Sequence, residues 1–211
     1  MIKKRRIIDP PHEKKPSLRI SSIVYGREKI GTRVVYLVDA RGKGTEKKNA
    51  EAVILYRWRR RVFKGYSFSG SKLNPKIWRN LPTILPMNIH SWPGLSTEEI
   101  EELMNIKKEY IKENFIKIPS PNILNGLLKI CGSTRLEKIV LRHNSPEREK
   151  NFGTPDLFLF ATHTSTKSVS IGRFVEVKKP EEPLKQDQHD EIRFLQSLDL
   201  HARVMRLIER N

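Results

Sequence analysis

The chain has 211 residues, with 41 Lys and Arg against 24 Asp and Glu, a formal net charge of +17 and a sequence pI near 10.1. That length suits one domain, or one domain with a basic arm, and the charge points to a polyanionic partner, nucleic acid above all. The single cysteine, Cys131, excludes an internal disulfide and a cysteine-built zinc site, and no apolar run reaches the ~20 residues that span a bilayer.

At the N-terminus, Met1-Ile2-Lys3-Lys4-Arg5-Arg6 does not lead into the apolar core of a signal peptide. The expectation is an intracellular protein, nuclear in a eukaryote and otherwise cytoplasmic. Residues 1–19, with Pro10, Pro11 and Pro16, read as a flexible basic arm. Strand-like runs follow at Ile20–Tyr25 and Arg33–Val38, separated by Gly26 and Gly31, and Arg41-Gly42-Lys43-Gly44 reads as a turn. A helix is predicted from about Asn49 to Phe63, with Asn49 as its N-cap and Glu51 in the first turn, where the helix dipole favours an acid. Arg57, Arg59, Arg60 and Arg61 crowd its C-terminal half around Trp58, placed for phosphates or simply solvated.

Residues 64–95 carry seven prolines and glycines and read as irregular. Ser96-Thr97-Glu98-Glu99 opens a second helix that should reach Asn114. A third is expected from about Asn122 to Ile130, stopping at Gly132. The capping-box pattern Thr134-Arg135-Leu136-Glu137 predicts a fourth, with Leu136, Ile139, Val140 and His143 on one face. Leu157–Ala161 and Ile171–Val177 then read as paired strands joined by a polar loop. A helix from about Gln186 to Leu198 and a strand over His201–Ile208 complete the chain.

The stretch Phe152–Pro180 sets charges inside two apolar runs. Side chains alternate along a strand, so Phe174, Glu176 and Lys178 share one face, the last two roughly 7 Å apart. Pairing the two strands side by side brings Asp156, Glu176 and Lys178 to one end of the sheet. Burying such charges is costly unless they pair or hold a metal. Two carboxylates beside one lysine suit a hard divalent cation such as Mg²⁺, which can activate water and stabilise charge growing on a phosphate. A Pro-Asp pair or a Glu-x-Lys alone is a weak signal; both in this order on two adjoining strands are far more specific.

Gly153-Thr154-Pro155-Asp156-Leu157, Phe174-Val175-Glu176-Val177-Lys178 and Leu184-Lys185-Gln186-Asp187-Gln188 together resemble the VRR-NUC branch of the PD-(D/E)xK nucleases. Upstream, Ala50-Glu51-Ala52, Trp58-Arg59-Arg60, Phe63-Lys64-Gly65 and Ile77-Trp78 are similar to the opening of the nuclease domain of the Fanconi-associated nucleases. So is the run Leu127-Leu128-Lys129-Ile130-Cys131-Gly132-Ser133. The resemblance implies an α/β, restriction-endonuclease-like core: a mixed central sheet flanked by helices. A nuclease domain over residues 20–211 would carry a helical insertion at about 96–144. It further implies a Mg²⁺- or Mn²⁺-dependent nuclease on branched or flapped DNA, with 5′-flap endonuclease and 5′-to-3′ exonuclease activity in repair.

Carried over by position, Asp156, Glu176 and the Val177 carbonyl would be metal ligands, Lys178 would position the attacking water and Gln188 would support the site. Arg57, Arg59, Arg60, Arg61 and Lys64 form the expected DNA-contacting set. Where the family has a metal-binding Glu shortly after its first helix, this chain has Ser69. Glu51 is the candidate for an additional metal-binding acid, with a plain helix-dipole partner as the alternative. The expectation is the nuclease module alone, without the long N-terminal regions of the full-length family members. Two other functions remain open: a DNA-binding module whose catalysis has decayed, and a sequence-reading restriction-type endonuclease.

Overall fold

The computed structural model describes residues 17–39, 45–85, 88–146 and 153–210. Most of the predicted arm, the turn at 41–44 and Phe152 lie outside them. The elements in chain order are strands β1 (Ile23–Val24), β2 (Arg27–Ile30), β3 (Arg33–Asp39) and β4 (Thr45–Lys48), helix α1 (Ala50–Arg59), strand β5 (Tyr66–Lys72) and helix α2 (Ile77–Ile84). A 3₁₀ segment (Ile89–Gly94) leads into helices α3 (Thr97–Ile106), α4 (Lys108–Glu113) and α5 (Pro121–Asn144). Strands β6 (Leu157–His163) and β7 (Val169–Lys178), helix α6 (Gln186–Ser197) and strands β8 (Ala202–Arg206) and β9 (Ile208–Glu209) follow.

The central sheet has the order β5-β6-β7-β8. Its first two pairings are antiparallel and β7–β8 is parallel, the crossover between them being α6, as parallel neighbours require. This mixed sheet flanked by helices is the α/β core that the sequence led us to expect. Phe158, Phe160 and Phe174 point from one face into a core with Leu81, Leu124, Leu128, Leu136, Ile139 and Leu195, under α2, α5 and α6. Leu157, Leu159, Ala161, Val175 and Val177 line the other face with Val53, Ile54 and Trp58 of α1. With both faces covered, β6 and β7 are apolar almost without alternation, as doubly buried strands are.

Local signals account for several boundaries. The Asn49 side chain accepts a hydrogen bond from the Ala52 N–H at 2.9 Å and starts α1. Ser96 and Glu99 close a reciprocal capping box at the start of α3. Gly132, at φ 68° and ψ 164°, is the joint in α5 where the third and fourth predicted helices meet.

Other expectations need correction. Residues 64–95 are not irregular: β5, α2 and the 3₁₀ segment occupy them. The strand Tyr-Ser-Phe-Ser-Gly-Ser-Lys has little intrinsic β-character, and it forms because β6 supplies a partner along its whole length. Gly70 allows the close approach, since a Cβ there would lie 2.8 Å from the Phe158 carbonyl. Helix α2 contains Pro82, yet buries Ile77, Trp78, Leu81 and Ile84 along one side, and that burial outweighs the breaker. Helix α1 ends at Arg59 rather than Phe63, because Phe63 bridges to Tyr66 in the turn that begins β5. The predicted strand at 20–25 shrinks to Ile23–Val24, and residues 27–30 form an unforeseen strand in a separate three-stranded sheet with β3 and β4. The predicted 96–114 helix breaks at Lys107 into α3 and α4. The last predicted strand divides around the buried Leu207 into β8 and β9.

Helix α5 lies on the sheet through Gly126, where a Cβ would fall 2.7 Å from Cζ of the buried Phe160 ring. Gly126→Ala should therefore overpack this contact and lower stability by about 1–3 kcal/mol. Urea unfolding of both proteins measures it, and an unchanged midpoint would show that the ring can yield.

Candidate active site

The β6–β7 register pairs Leu157 with Val175, so Asp156, just before β6, reaches the C-terminal end of β7. Its Oδ2 accepts the Val177 N–H at 2.7 Å, and its carbonyl accepts the Leu73 N–H at 2.8 Å at the end of β5. Three strands thus converge on one residue. The entrance is tightly packed. The Thr154 hydroxyl donates to the Pro75 carbonyl at 3.1 Å, and a Cβ on Gly153 would lie 2.5 Å from Cα of Gln188. Only glycine lets this segment pass so close to the first turn of α6.

Glu176 is 2% exposed. Its Oε1 meets the Lys178 Nζ at 3.1 Å and accepts from the Gln188 Nε2 at 2.5 Å. The Gln188 amide is oriented from its other side, where Oε1 accepts the Lys185 N–H at 3.1 Å. Lys178 also reaches the Glu182 Oε1 at 3.5 Å. Arg206 anchors the turn bearing Glu182 by donating to the carbonyls of Lys179 at 3.0 Å and Glu182 at 2.6 Å.

The carboxylates are held under electrostatic pressure. Burial, followed by the negative charge of Asp156, pushes the Glu176 carboxyl up to about 7, against the opposing effect of Lys178. Burial also raises Asp156, with a further push from the charge of Glu51, although the Val177 N–H favours its ionised form. A cation bound between them would relieve both.

Among the described residues no cluster of three or more His, Cys, Asp and Glu side chains is placed to hold a metal. The donors at this end of the sheet are two carboxylates and the Val177 carbonyl. Such a set fits a hard cation that keeps several waters, as Mg²⁺ does. Glu51 is near enough to raise Asp156 but is paired with the Lys72 Nζ at 3.3 Å. Ser69 is not at the site: it opposes Phe160, four residues along β6 from Asp156, roughly 13 Å by strand rise. Ser69 therefore sits in the middle of the sheet, not where an additional metal ligand would join Asp156 and Glu176.

The basic residues at the end of α1 and just beyond it are engaged within the chain. Arg57 Nη1 donates to the Ser21 carbonyl at 2.7 Å, Arg59 Nη2 to the Gly70 carbonyl at 2.5 Å, Arg60 Nη1 to the Tyr56 hydroxyl at 2.6 Å and Arg61 Nη1 to the Arg19 carbonyl. Lys64 is exposed in the turn after α1.

Sequence reading missed two supports. Glu182 was not singled out. Nor was the buried pair behind Gln188, in which the Glu191 Oε1 lies 2.9 Å from the His143 Nε2 and its Oε2 3.3 Å from the Arg142 Nε. Burial works against the charge on Glu191, but its hydrogen bond with His143 and the adjacent Arg142 hold its carboxyl below the usual range. The three-residue spacing of Gln188 and Glu191 on one helix face was the available signal.

A family model for the VRR-NUC domain matches residues 91–207, more than half of the 211 residues, and the span includes Asp156, Glu176, Lys178 and Gln188. Among solved structures the chain is similar to paFAN1 bound to 5′-flap DNA with a two-nucleotide flap and a gap, at 14% identity and a TM-score of 0.45. That match covers 77% of this chain and 35% of that one, so the chain spans about a third of that protein's length. No curated protein matches. By the family match, which spans the Asp, Glu and Lys gathered at one end of its sheet, the chain belongs to the VRR-NUC domain family.

Proposed function

We propose that this protein is a structure-specific DNA nuclease of the 5′-flap endonuclease and 5′-to-3′ exonuclease type, working with Mg²⁺ or Mn²⁺. The observation that carries the reading is Glu176, buried beside Asp156 and held by both Lys178 and Gln188. A structural ion pair does not need a second carboxylate pressed against it. This arrangement favours an enzyme over a DNA-binding module with decayed catalysis, and the net charge of +17 suits a DNA partner.

In this reading Asp156, Glu176 and the Val177 carbonyl hold the cation. Once bound, the ion would act as a Lewis acid that lowers the pKa of water and offsets charge on the scissile phosphate. Lys178, shared between Glu176 and Glu182, positions the attacking water. Gln188, donating to the same Glu176 oxygen that meets Lys178, fixes the rotamer of the carboxylate.

Asp156→Ala, Glu176→Ala and Lys178→Ala should each reduce cleavage of a labelled 5′-flap substrate by about 10²–10⁴-fold. Circular dichroism spectra and metal-free DNA affinity should stay unchanged. Wild-type cleavage by a folded Glu176→Ala protein would sink the proposal, and equal cutting of flapped, nicked and linear DNA would remove its structure-specific part.

Glu51 is proposed as an auxiliary metal-binding acid on account of its influence on Asp156. Glu51→Gln should shift the Mg²⁺ dependence of the rate to higher concentration by about tenfold, with recovery in excess metal. A metal titration that superimposes on wild type reduces Glu51 to a helix-dipole partner of Lys72.

A pH effect follows from Glu176, which titrates at about 7 when folded and near 4.5 when unfolded. Between these values the folded protein binds more protons than the unfolded chain, so metal-free stability falls as pH rises across that window. Denaturation in EDTA at about pH 5 and about pH 8 measures the slope. Glu176→Gln should flatten it, and a slope unchanged in that variant would assign the effect to other groups.

A further inference from the structure

A group of arginines on the α1 side of the sheet lacks negative charge. Arg173, on β7 opposite Leu159, is 4% exposed. Its Nη1 donates to the Leu18 carbonyl at 2.5 Å, while its Nε is buried without a partner. The Arg61 guanidinium lies over the rings of Trp58 and Phe68, at 5.2 and 5.3 Å, and donates to the Arg19 carbonyl. Arg203, exposed on β8, is the third member. Burial, then the charges of Arg203 and Arg61, pushes Arg173 down to about 10. Among the described residues no carboxylate forms an ion pair with any of the three.

Backbone carbonyls carry only partial charge, so they are poor compensation for a buried guanidinium with two cationic neighbours. An anion with several oxygens would serve better, because the guanidinium fork matches phosphate geometry. The segment supplying the carbonyls, residues 17–22, has no regular secondary structure, and the first strand begins only at Ile23. The β1–β9 pairing begins with the Ser22 carbonyl, which accepts the Ile208 N–H at 2.9 Å, so residues 18–21 can lift without breaking a sheet, at the cost of the packing of Leu18 and Ile20 against the core. Arg173 is three residues from Glu176 along β7, roughly 10 Å, with its side chain on the opposite face of the sheet.

We propose that Arg61, Arg173 and Arg203 form a seat for a backbone phosphate of the nucleic-acid substrate, which the carbonyls of Leu18 and Arg19 fill until the nucleic acid displaces them. The proposal rests on the nuclease reading above and adds a phosphate contact on the side of the sheet away from Glu176. Residues 18–21 then act as a strap that bound DNA must lift.

The test uses the full chain carrying Asp156→Ala, in EDTA, with a fluorescein-labelled 5′-flap DNA. Anisotropy is read from about 50 to about 200 mM salt. Adding Arg173→Gln or Arg203→Gln should weaken binding about tenfold and reduce the slope of log K against log salt by about one. Arg173→Gln should leave Tm unchanged or raised, since it removes an uncompensated buried charge. Hydrogen exchange at the amides of residues 18–22 should quicken when DNA binds. Arg203 is exposed, so its variant reads the seat even if Arg173→Gln fails to fold. An unchanged affinity and salt slope in Arg203→Gln, or exchange at residues 18–22 indifferent to DNA, overturns the proposal and leaves Arg173 as a clamp for the strap. Binding is read here without metal or cleavage, so this failure is distinct from that of the nuclease reading, which would show as cleavage surviving Glu176→Ala.

Discussion

The antiparallel register between β6 and β7 is the constraint on which the candidate site depends. Leu157 opposite Val175 sets Asp156 against the Val177 N–H. A slip of one residue would turn Glu176 and Lys178 to the α1 face and bury Val175 and Val177 against α6 instead. The register is secured by what each face must bury: Phe158, Phe160 and Phe174 on one side, Leu157, Leu159 and Val175 on the other. The hydrophobic effect thereby aligns charges to which it is itself hostile.

Those charges are kept ionisable at a cost that the neighbouring packing offsets. Lys178 divides its ammonium between Glu176 and Glu182, so neither acid neutralises it alone. Gln188 adds a neutral donor from α6, and Glu191, one turn later, ties the same helix to the buried His143 in the last turn of α5. His143 is tied in turn to α2, where the Arg79 Nε donates to its carbonyl at 2.7 Å. A chain of polar contacts therefore runs from the last helix through the core to a segment more than a hundred residues earlier. The helices around the sheet hold the Glu176 carboxylate at one angle, a rigidity that catalysis by position requires.

The two faces of the sheet divide the work by charge. The acids gather at one end, on the side of α6, while the arginines of α1, β7 and β8 concentrate on the side of α1, with residues 18–21 lying over them. In the proposed reading, a polyanion approaching a protein of +17 net charge would be drawn to the basic side and cut at the acidic end, and restricting the carboxylates to a small buried cluster would limit their repulsion of it.

The place of Gln188 beside Glu176 was legible only through the family resemblance. The gathering of Asp156, Glu176 and Lys178 at one end of the sheet was legible in the sequence, because a strand's two-residue period and a β-hairpin's pairing are local rules. The caps at Asn49 and Ser96 and the break at Gly132 were legible for the same reason. Beyond local reach the reading failed. Strand β5 has no β-pattern of its own, and α2 tolerates a proline; both exist because the β6 edge and the aromatic core needed covering. Ser69 resembled a ligand position by order in the chain, yet register carries it to mid-strand. Arg57, Arg59, Arg60 and Arg61 read as phosphate contacts or as a solvated helix end; that three of the four also donate to backbone carbonyls had no sequence signal, and Arg173 gave none at all. Sequence alone determined which residues are candidates for the chemistry and which strands bear them. Tertiary structure alone decided which groups share a low-dielectric space, and that decides how much each charge costs and which partner it needs.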